Sequence, residues 1–530
     1  MRWIHPLSAD LREPADVLGG KAHGLVALLR LGLPVPPGFV IGTAACRAFL
    51  RDGRFPDGLS EELAAAVAGL EAVTGRCFGG HRRPLLVSVR SGAAVPMPGM
   101  MATVLDVGLT GDAAEGLAAE SGEDRFVLDS RLRLLTGLTA AATGRPGDFA
   151  GSDGSVEARL ATAAEAVRRH FGEPVVEDAR EQLAQAVAAV FRSWDSPRAR
   201  TYRALNGVPD GLGTAVTVQA MVFGNRGRRS GTGVAFSRDP ATGEPVPHGD
   251  LLFGRQGEDV VSGGAAVRPI ADLAGREPQV LADLLEALDR GERHCRDACY
   301  LEFTFEAGRL WLLQMRPGRF AGAAGARVAV DLADRGVIGR DEALRRVAPG
   351  QLRDAGSPRI ALADDTGLLV RGVGASPGVA GGRVALTADA AVRMAVDGPV
   401  VLVRPQTSPL DLHGLAAAAG VLTALGGPAS HAAVVARSMG RPAVVGAAGL
   451  TVDVPGGCLR VGGRTVPEGA VLTLDGGLGL AVLGSPPVAA AADDPYLRRF
   501  LAWADEVSGD ASPRPAARRL AAAQAALGGC

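Results

Sequence analysis

A glycine-rich stretch in the last quarter of the sequence presents one histidine in a setting suited to phosphoryl chemistry. It runs Gly426-Gly427-Pro428-Ala429-Ser430-His431 and continues into an Ala/Val-rich segment that ends at Arg437. Gly and Pro break the chain, Ser430 can act as an N-cap, and the residues that follow have helical composition. His431 is therefore predicted in the first turn of a helix, where exposed amides and the positive end of the helix dipole favour an anion.

Imidazole is largely unprotonated at neutral pH and is then a good nucleophile. The position of His431 therefore suits a residue that carries a phosphoryl group. The alternative interpretation is a buried histidine that only caps a helix, which is the usual role of an isolated histidine.

The chain has a single lysine, Lys21, among 56 basic residues. It follows Gly19-Gly20, and its retention in a chain that otherwise uses arginine suggests a site where the two cations are not interchangeable. A compact ammonium behind two glycines suits a phosphate that lies close to the backbone. The alternative is one lysine that has survived by chance on a solvated surface.

Two further elements of the N-terminal region combine glycine with a basic or flexible neighbour. They are Ser88-Val89-Arg90-Ser91-Gly92 and Met97-Pro98-Gly99-Met100-Met101. No Walker A loop is present here, because Lys21 is followed by Ala22 rather than by Ser or Thr. Together the elements could converge on a polyphosphate, with Arg90 at a strand end and glycine amides close by. For Arg90 alone, a surface ion pair is the alternative.

An alternating pattern at Leu301, Phe303 and Phe305 predicts a strand, and Ala307-Gly308 predicts the turn of a hairpin. Glu302 and Gln314 fall on the two strands, with Arg316 on the same side as Gln314. Carboxylate and amide oxygens on one face would suit Mg²⁺ that bridges phosphates. The alternative is a solvated face of the sheet.

The composition is that of an ordinary globular protein, 47% hydrophobic and 21% charged. A formal net charge of −1 gives no indication of a nucleic-acid or anionic-membrane surface, and an aromatic fraction of 4% argues against base-stacking platforms. The six cysteines are scattered, and the N-terminus lacks the apolar core of a signal peptide. We therefore expect a cytoplasmic protein with small-molecule partners, and neither nucleic acid nor membrane among them.

The order of patterns along the chain predicts an α/β (α+β) protein of several domains. A strand-rich region extends to residue 320, with a mostly helical insert at 112–205. Residues 321–370 are predicted to form a helical linker or hinge, and 371–484 a compact Gly-rich α/β block. Residues 485–530 are predicted to be a linker and a truncated tail.

Long blocks of this sequence resemble the pyruvate, phosphate dikinase family and, more distantly, phosphoenolpyruvate synthases. The resemblance runs almost continuously from Gly19 to about Gly484. Its blocks are Leu18-Gly19-Gly20-Lys21-Ala22, Val35-Pro36-Pro37-Gly38-Phe39, Ser88 to Met101, Gly231-Thr232-Gly233-Val234-Ala235-Phe236, Gln256-Gly257-Glu258-Asp259-Val260-Val261, Glu302-Phe303-Thr304, Gln314-Met315-Arg316, Thr407-Ser408-Pro409 and Gly426 to Arg437.

The resemblance implies an ATP-grasp-like nucleotide-binding domain over 1–320 and a swivelling phosphohistidine domain over 371–484. It implies that ATP gives its β-phosphoryl group to His431 while inorganic phosphate takes the γ-phosphoryl group, which yields AMP and pyrophosphate. Glu302 and Gln314 would organise Mg²⁺ and the phosphates. The remaining ATP-binding residues implied are Lys21, Arg90, Gly99, Arg133 and Arg316 for the phosphates, and Gln219, Met221 and Val222 for the adenine edge.

Three departures from the family pattern affect what we expect. Tyr300 stands where the pattern has Asp, which removes an acidic group near the metal and would weaken ATP turnover. Ala429 stands where the pattern has Thr, so regulatory phosphorylation of that Thr is ruled out. The family's pyruvate-binding (β/α)₈ barrel needs about 250 residues, and the tail after 485 is far too short to supply it.

Three hypotheses follow. The first is a dikinase-type phosphotransferase that phosphorylates His431 and passes the group to pyruvate through a separate barrel chain, or to another acceptor. The second is a rifampin-phosphotransferase-like enzyme that modifies a small molecule, although its extra acceptor domain is not evident between 321 and 370. The third is a degenerate ATP-binding regulatory protein, which Tyr300 and the missing barrel would favour.

Overall fold

The structure is a computed structural model in which the described residues fall into two compact units. Unit 1 comprises Met1–Gly231 and Phe303–Met315, and unit 2 comprises Thr232–Glu302 and Arg316–Cys530. Both units contain helices and sheets, so the prediction of a mixed α/β chain is confirmed. The residues described are 2–95, 97, 100–143, 156–171, 176–240, 242–262, 267–318, 320, 322–352, 359–361, 367–428, 430–489 and 494–528.

Unit 1 contains a five-stranded sheet and a series of helices. Its strands are β1 (Ile4–Pro6), β2 (Gly38–Ile41), β3 (Cys77–Phe78), β4 (Pro84–Leu85), β5 (Val87–Gly92), β6 (Thr103–Val107) and β7 (Ala215–Ala220). Its helices are α1 (Ala15–Arg30), α2 (Thr43–Asp52), α3 (Leu59–Thr74), α4 (Gly111–Ser121), α5 (Asp124–Thr143), α6 (Val156–Phe171), α7 (Ala179–Ser193) and α8 (Pro197–Asn206). Helices α4 to α8 occupy the stretch between β6 and β7 for which the sequence predicts a helical insert.

The five-stranded sheet has the order β1-β2-β7-β5-β6, and its neighbouring strands are antiparallel. Strand alternation divides the side chains of β7 between two faces. Val216 and Val218 contribute to the large core of the unit, whereas Ala215 packs with Val40 of β2 against Leu18 of α1. The face that α1 covers is therefore the one on which Arg90 of β5 and Thr217 and Gln219 of β7 lie.

Unit 2 contains two larger sheets. The strands that lie wholly or partly in unit 2 are β8 (Gly231–Phe236), β9 (His248–Phe253), β10 (Arg268–Pro269), β11 (Cys299–Glu306), β12 (Arg309–Pro317), β13 (Arg359–Ile360), β14 (Leu368–Arg371), β15 (Val373–Ser376), β16 (Val379–Ala385), β17 (Val400–Arg404), β18 (Gly420–Thr423), β19 (Ala443–Val445), β20 (Thr451–Asp453), β21 (Cys458–Val461), β22 (Arg464–Pro467), β23 (Val471–Asp475), β24 (Leu480–Leu483) and β25 (Val488–Ala489). Its helices are α9 (Gly257–Ser262), α10 (Leu273–Arg276), α11 (Pro278–Cys295), α12 (Gly322–Asp334), α13 (Arg340–Arg346), α14 (Ala388–Ala395), α15 (Leu412–Ala417), α16 (His431–Met439), α17 (Pro495–Ser508) and α18 (Ala516–Gly528).

The predicted hairpin is present as β11 and β12, which are neighbours in the sheet β10-β9-β8-β11-β12. Both strands continue across the boundary between the two units. The connecting residues Ala307 and Gly308 have positive φ values of 50° and 79°. Two central residues with positive φ form the type of turn that matches the twist of antiparallel strands. The turn predicted at Ala307-Gly308 is therefore confirmed.

The Gly-rich block after residue 367 forms an eight-stranded sheet of order β14-β24-β23-β16-β17-β18-β19-β15. Strands β16 to β19 are parallel neighbours, and antiparallel strands flank them on both sides. Apolar side chains such as Val401, Leu422 and Leu474 form its core. In the parallel part, helix α16 lies in the connection from β18 to β19, so the sheet fixes where that helix begins.

The helices on either side of this block share one hydrophobic core. Val330 of α12 and Leu344 of α13 belong to the same buried cluster as Phe500, Trp503 and Leu520 of α17 and α18. The sequence treats 321–370 and 485–530 as separate connecting segments, whereas their helices form a single bundle. The two chain crossings between the bundle and the block also pair with each other, because β13 is antiparallel to β25. No described helix is long and apolar enough to cross a membrane.

The shared core predicts that damage to α17 destabilises α12. Phe500 is fully buried in the bundle, so Phe500→Ala should lower the free energy of unfolding of the bundle by about 3–5 kcal/mol. Hydrogen exchange would show faster exchange of the amides of α12 and α17 together. Arg518→Ala, at an exposed position of α18, is the control. If α12 keeps its protection in Phe500→Ala, the two halves are independent.

Candidate functional site

Lys21 lies at the start of a helical segment because α1 is interrupted just before it. Gly19 has φ 75° and ψ 155°, which are not helical values, so the segment after it begins with its own exposed amides. A Cβ on Gly19 would lie 1.6 Å from the carbonyl oxygen of Gly92, and the Gly20 amide donates to the Ala93 carbonyl at 3.0 Å. Only glycine permits this approach, which brings Lys21 beside the end of β5.

Arg90 and Gln219 lie on the same face of the unit 1 sheet as this contact. Arg90 faces Thr217 across the β5–β7 pair, and Gln219 is two residues further along β7. The Arg90 guanidinium donates to the carbonyl oxygen of Leu313 at 3.1 Å, next to Gln314 in sequence. The structure thus brings Lys21, Arg90 and Gln219 to one face, and places the strand that carries Gln314 within reach of Arg90.

Met221 and Val222 follow directly after β7 and are partly exposed. The Met221 amide donates to the Leu86 carbonyl at 2.9 Å, and the Phe223 amide donates to Glu306 Oε2 at 3.1 Å. These hydrogen bonds hold the backbone on both sides of Val222, so the backbone groups of Val222 have a fixed position within unit 1.

Arg133 on α5 is connected to the same loop through a carboxylate. Its Nε donates to Asp129 Oδ2 at 3.0 Å, and Asn225 Nδ2 donates to the same oxygen at 2.7 Å. Asp129 therefore ties Arg133 to the residues that follow Val222. Gly99, which the sequence assigned to the phosphates, lies outside the described residues.

In unit 2, Glu302 and Arg316 both lie beside Tyr300. The Tyr300 hydroxyl is 3.4 Å from Glu302 Oε1, and the Arg316 guanidinium lies 3.9 Å from the centroid of the Tyr300 ring. Burial, with the nearby charge of Glu302, raises the pKa of Tyr300, so its hydroxyl stays protonated and can donate to the carboxylate.

The described residues include no group of three or more His, Cys, Asp and Glu side chains arranged to hold a metal ion. Glu302 offers a carboxylate and Gln314 an amide oxygen, which are hard ligands. Mg²⁺ is commonly bound through one or two carboxylates and completed by substrate phosphates and water. The ligand chemistry of each of these two side chains, taken by itself, suits Mg²⁺.

His431 is the first residue of α16, as predicted; the residue is partly exposed, and its Nε2 atom is buried. Its Nδ1 is 3.1 Å from Oγ1 of Thr407, which is itself buried. This contact fixes the ring orientation and leaves Nε2 as the other ring position for chemistry. Ser430 occupies the N-cap position, but its side chain makes no capping hydrogen bond, so the predicted capping is by position only.

Two residues missing from the predicted site hold the loop before His431. Arg437 donates from Nη1 to the Ala375 carbonyl at 2.7 Å and from Nη2 to the Pro428 carbonyl. A Cβ on Gly427 would lie 2.3 Å from Oδ2 of the buried Asp250. Helical periodicity could have flagged Arg437, since seven residues after Ser430 is the same helix face. Asp250 is too distant in sequence for any local signal.

Comparisons with known proteins identify two domains in the chain. A family model described as "Pyruvate phosphate dikinase, AMP/ATP-binding domain" matches residues 15–73 and 51–269, and one described as "PEP-utilising enzyme, mobile domain" matches 396–479. The chain is 40% identical to pyruvate, phosphate dikinase from Rhizobium meliloti (strain 1021) over 540 residues, 95% of this chain and 60% of that protein.

Two further relatives give the same result. The chain is 40% identical to pyruvate, phosphate dikinase 2 of Zea mays, over 93% of this chain and 58% of that protein. It is 37% identical to pyruvate, phosphate dikinase of Clostridium symbiosum, over 95% of this chain and 60% of that protein. The chain thus spans about 60% of the length of these curated relatives.

The two matched domains place the chain in the class of PEP-utilising enzymes that combine a nucleotide-binding domain with a mobile domain. Within that class, its domains and its relatives are those of the pyruvate, phosphate dikinase family. The family resemblance found in the sequence is therefore confirmed.

The contact of Gly19 with Gly92 predicts a sharp difference between two glycine variants. Gly19→Ala should displace Lys21 and lower ATP affinity by ~10-fold or more, the value of about one charge-assisted hydrogen bond. Gly53→Ala is the control, because Gly53 also has a positive φ of 73° but nothing within 4 Å of an added Cβ. Calorimetric titration with MgATP would measure both. Equal affinities in the two variants would contradict the role given to the contact.

Proposed function

We propose that the chain is a dikinase-type phosphotransferase whose phosphoryl carrier is His431. ATP would transfer its β,γ-pyrophosphoryl group to the imidazole with release of AMP, and inorganic phosphate would then take the γ-phosphoryl group as pyrophosphate. The β-phosphoryl group would stay on His431. The observation that carries this proposal is the ring held at Nδ1 by Thr407, at a partly exposed helix start.

The ATP-binding residues proposed are those that the family resemblance implies, in an ATP-grasp-like domain over 1–320. Lys21, Arg90, Gly99, Arg133 and Arg316 would contact the phosphates, and Gln219, Met221 and Val222 the adenine edge. Support comes from how firmly the described cations are held: Lys21 by a backbone contact, Arg90 by the Leu313 carbonyl and Arg133 by Asp129. Catalysis by fixed cations suits phosphoryl transfer, in which positioning and charge neutralisation are the main demands.

Glu302 and Gln314 are the residues we propose for Mg²⁺. When bound there, the ion would neutralise part of the charge on the phosphates. The Tyr300 hydroxyl would donate to Glu302 and so orient its carboxylate. Within unit 2, this leaves the Arg316 guanidinium to contact phosphate oxygen atoms directly.

The residues around His431 each have a separate task in this proposal. Thr407 would fix the tautomer and direction of the ring, so that Nε2 attacks the phosphorus atom. Arg437 would hold the loop before His431 through the Pro428 carbonyl. The close packing of Gly427 on Asp250 would fix the distance between this loop and β9. The exposed amides at the start of α16 would stabilise the incoming negative charge.

We propose residues 371–484 as the mobile phosphohistidine domain, with 321–370 and 485–530 as its connections. The group on His431 would pass to pyruvate, giving phosphoenolpyruvate, or to another acceptor. Pyruvate is proposed because the names of the relatives include it.

Labelling with ATP that carries ³²P at the β-phosphate tests the proposed function. We expect an acid-labile, base-stable label on the wild-type chain that His431→Ala abolishes, because the N–P bond of a phosphohistidine is hydrolysed in acid and survives in base. Added inorganic phosphate should produce labelled protein together with AMP and pyrophosphate.

The same experiment separates the alternatives. Label that leaves His431 on addition of pyruvate supports the dikinase reaction, whereas transfer to an antibiotic-like acceptor supports the rifampin-phosphotransferase-like enzyme. Intact ATP binding without label supports a regulatory protein and refutes the proposal.

Thr407 gives a second prediction for the same reaction. Thr407→Val removes the contact with Nδ1 but keeps the shape of the side chain, so the rate of His431 labelling should fall ~10- to 100-fold through misorientation of the ring. Thr407→Ser should restore most of the rate. Single-turnover labelling with saturating MgATP measures both, and a Thr407→Val rate equal to wild type would remove Thr407 from the mechanism.

A further inference from the structure

A buried carboxylate four residues after Thr407 closes the turn that carries this threonine. Asp411 is 7% exposed and ends the short 3₁₀ turn Pro409–Asp411, which leads into α15. Its Oδ2 accepts from the Ser408 amide at 2.8 Å and from the Ser408 hydroxyl at 3.2 Å. The Ser408 hydroxyl also accepts from the Leu410 amide at 3.2 Å. These are the reciprocal hydrogen bonds of a capping box, which hold the turn in one conformation.

The bond to the Ser408 amide acts directly on Thr407. The N–H group of Ser408 belongs to the peptide unit that begins at the Thr407 carbonyl carbon, so a fixed N–H fixes the plane of that unit. The direction of the Thr407 side chain depends on this plane, and its Oγ1 is the atom that lies 3.1 Å from His431 Nδ1. The Asp411 carboxylate therefore bears on the orientation of the imidazole.

The chain before Thr407 is held by the neighbouring strand of the sheet. Beyond the paired ends of β17 and β18, the Ala424 amide donates to the Arg404 carbonyl at 3.1 Å. The Leu425 amide then donates to the Pro405 carbonyl at 2.9 Å. The threonine thus lies between a backbone ladder on one side and the carboxylate on the other, and the partner strand of the ladder leads into the histidine loop.

Arg404 supplies the positive charge that stabilises this buried carboxylate. Its Nε lies 3.3 Å from Asp411 Oδ1, the oxygen that Ser408 does not contact, and its Nη1 donates to the Leu386 carbonyl at 3.0 Å. A buried charge is tolerated when it is both paired and hydrogen-bonded. Because the pair is neutral overall, Asp411 adds no net negative charge beside an incoming phosphoryl group.

We propose that Asp411 and Arg404 are positioning residues for the phosphoryl carrier. Asp411 holds the Thr407–Ser408 peptide so that Thr407 Oγ1 accepts from the Nδ1–H group of His431. The lone pair of the ring that attacks phosphorus is then on Nε2. Arg404 holds the carboxylate in the orientation that this peptide requires. The inference rests on the proposed function, because a fixed tautomer matters for transfer only if the imidazole is the nucleophile.

The first measurement needs no ATP. Histidine labelled with ¹⁵N gives ring signals for the eight histidines of the chain, and the signals absent from His431→Ala belong to that residue. At a pH where the imidazole is neutral, we expect the wild-type Nε2 at the chemical shift of an unprotonated nitrogen. Asp411→Asn should move a measurable share of the ring to the other tautomer. An Asn oxygen that accepts from Ser408 turns the Asn NH₂ group toward Arg404, so two donors face each other.

The second measurement is the single-turnover rate of His431 labelling from ATP that carries ³²P at the β-phosphate. Asp411→Asn should lower this rate about tenfold, because a charge-assisted hydrogen bond becomes a neutral one and the ring is misoriented. The ATP concentration that gives half the maximal rate should not change, since the residues proposed for ATP lie elsewhere.

Two double variants show whether the carboxylate acts through Thr407. In the Thr407→Val background, Asp411→Asn should cause little further loss of rate, because residues that act as a unit have non-additive effects. Asp411→Asn combined with Arg404→Gln should recover part of the rate, because the Gln oxygen can accept from the Asn amide.

Asp453→Asn is the matched control. Asp453 has the same two kinds of partner, the Gly456 amide at 2.9 Å and Arg460 Nη2 at 3.0 Å, but it lies in the separate sheet of β20 to β22. Its variant should match the wild type in the ring signals and in the labelling rate. Thermal unfolding shows that each variant is folded.

A folded Asp411→Asn chain with wild-type ring signals and a wild-type rate overturns the inference. So does a loss that adds in full to that of Thr407→Val, or one that Asp453→Asn reproduces, because either result assigns the effect to a general weakening of the block. If the wild type is never labelled but Asp411→Asn shifts the ring signals as expected, the carrier function fails and the positioning role stands.

Discussion

The loop that presents His431 keeps its shape because one buried guanidinium, that of Arg437, closes it. Desolvation of this cation is costly, as its lowered pKa shows, and two charge-assisted hydrogen bonds to the Ala375 and Pro428 carbonyls offset the cost. The path of the loop before His431 is tied to β15 through this connection. A neutral side chain of similar size would fill the space but would not span the two carbonyl groups.

Glycine performs the same task at the two places where charge has to be brought close to backbone. Gly19 lets the start of a helical segment touch the end of β5, and Gly427 lets the histidine loop rest on the carboxylate of Asp250. In both cases an added methyl group would separate the two packed segments, and the hydrogen bonds between them would become too long. Cations and nucleophile are thus positioned by close backbone packing as much as by their own side-chain contacts.

The sequence predicted those features whose cause is local. The hairpin of β11 and β12 follows from alternation and an Ala-Gly turn, and the start of α16 follows from the Gly-Gly-Pro break before His431. The roles of Arg437 and Asp250 were missed, because each depends on a partner that lies far away in sequence. For the same reason the sequence predicts 321–370 and 485–530 only as connecting segments: an amphipathic pattern shows that a helix has a buried face, but not what covers it. Ser430 lies at the predicted N-cap position, but its side chain makes no capping hydrogen bond, because the sequence pattern does not determine the side-chain rotamer.

The pairing of α12 and α13 with α17 and α18 makes the sheet block of 367–489 an insertion within the helical bundle. During synthesis, α12 and α13 leave the ribosome first, and their apolar faces are then uncovered. The inserted sheet block must be synthesised before α17 and α18, which cover these faces, are available. The chain enters the block through β13 and leaves it through β25, and these two strands are paired. Folding of the block therefore brings α17 and α18 close to α12 and α13. Assembly of the bundle therefore depends on α17 and α18, and a chain without these two helices would expose the apolar faces of α12 and α13.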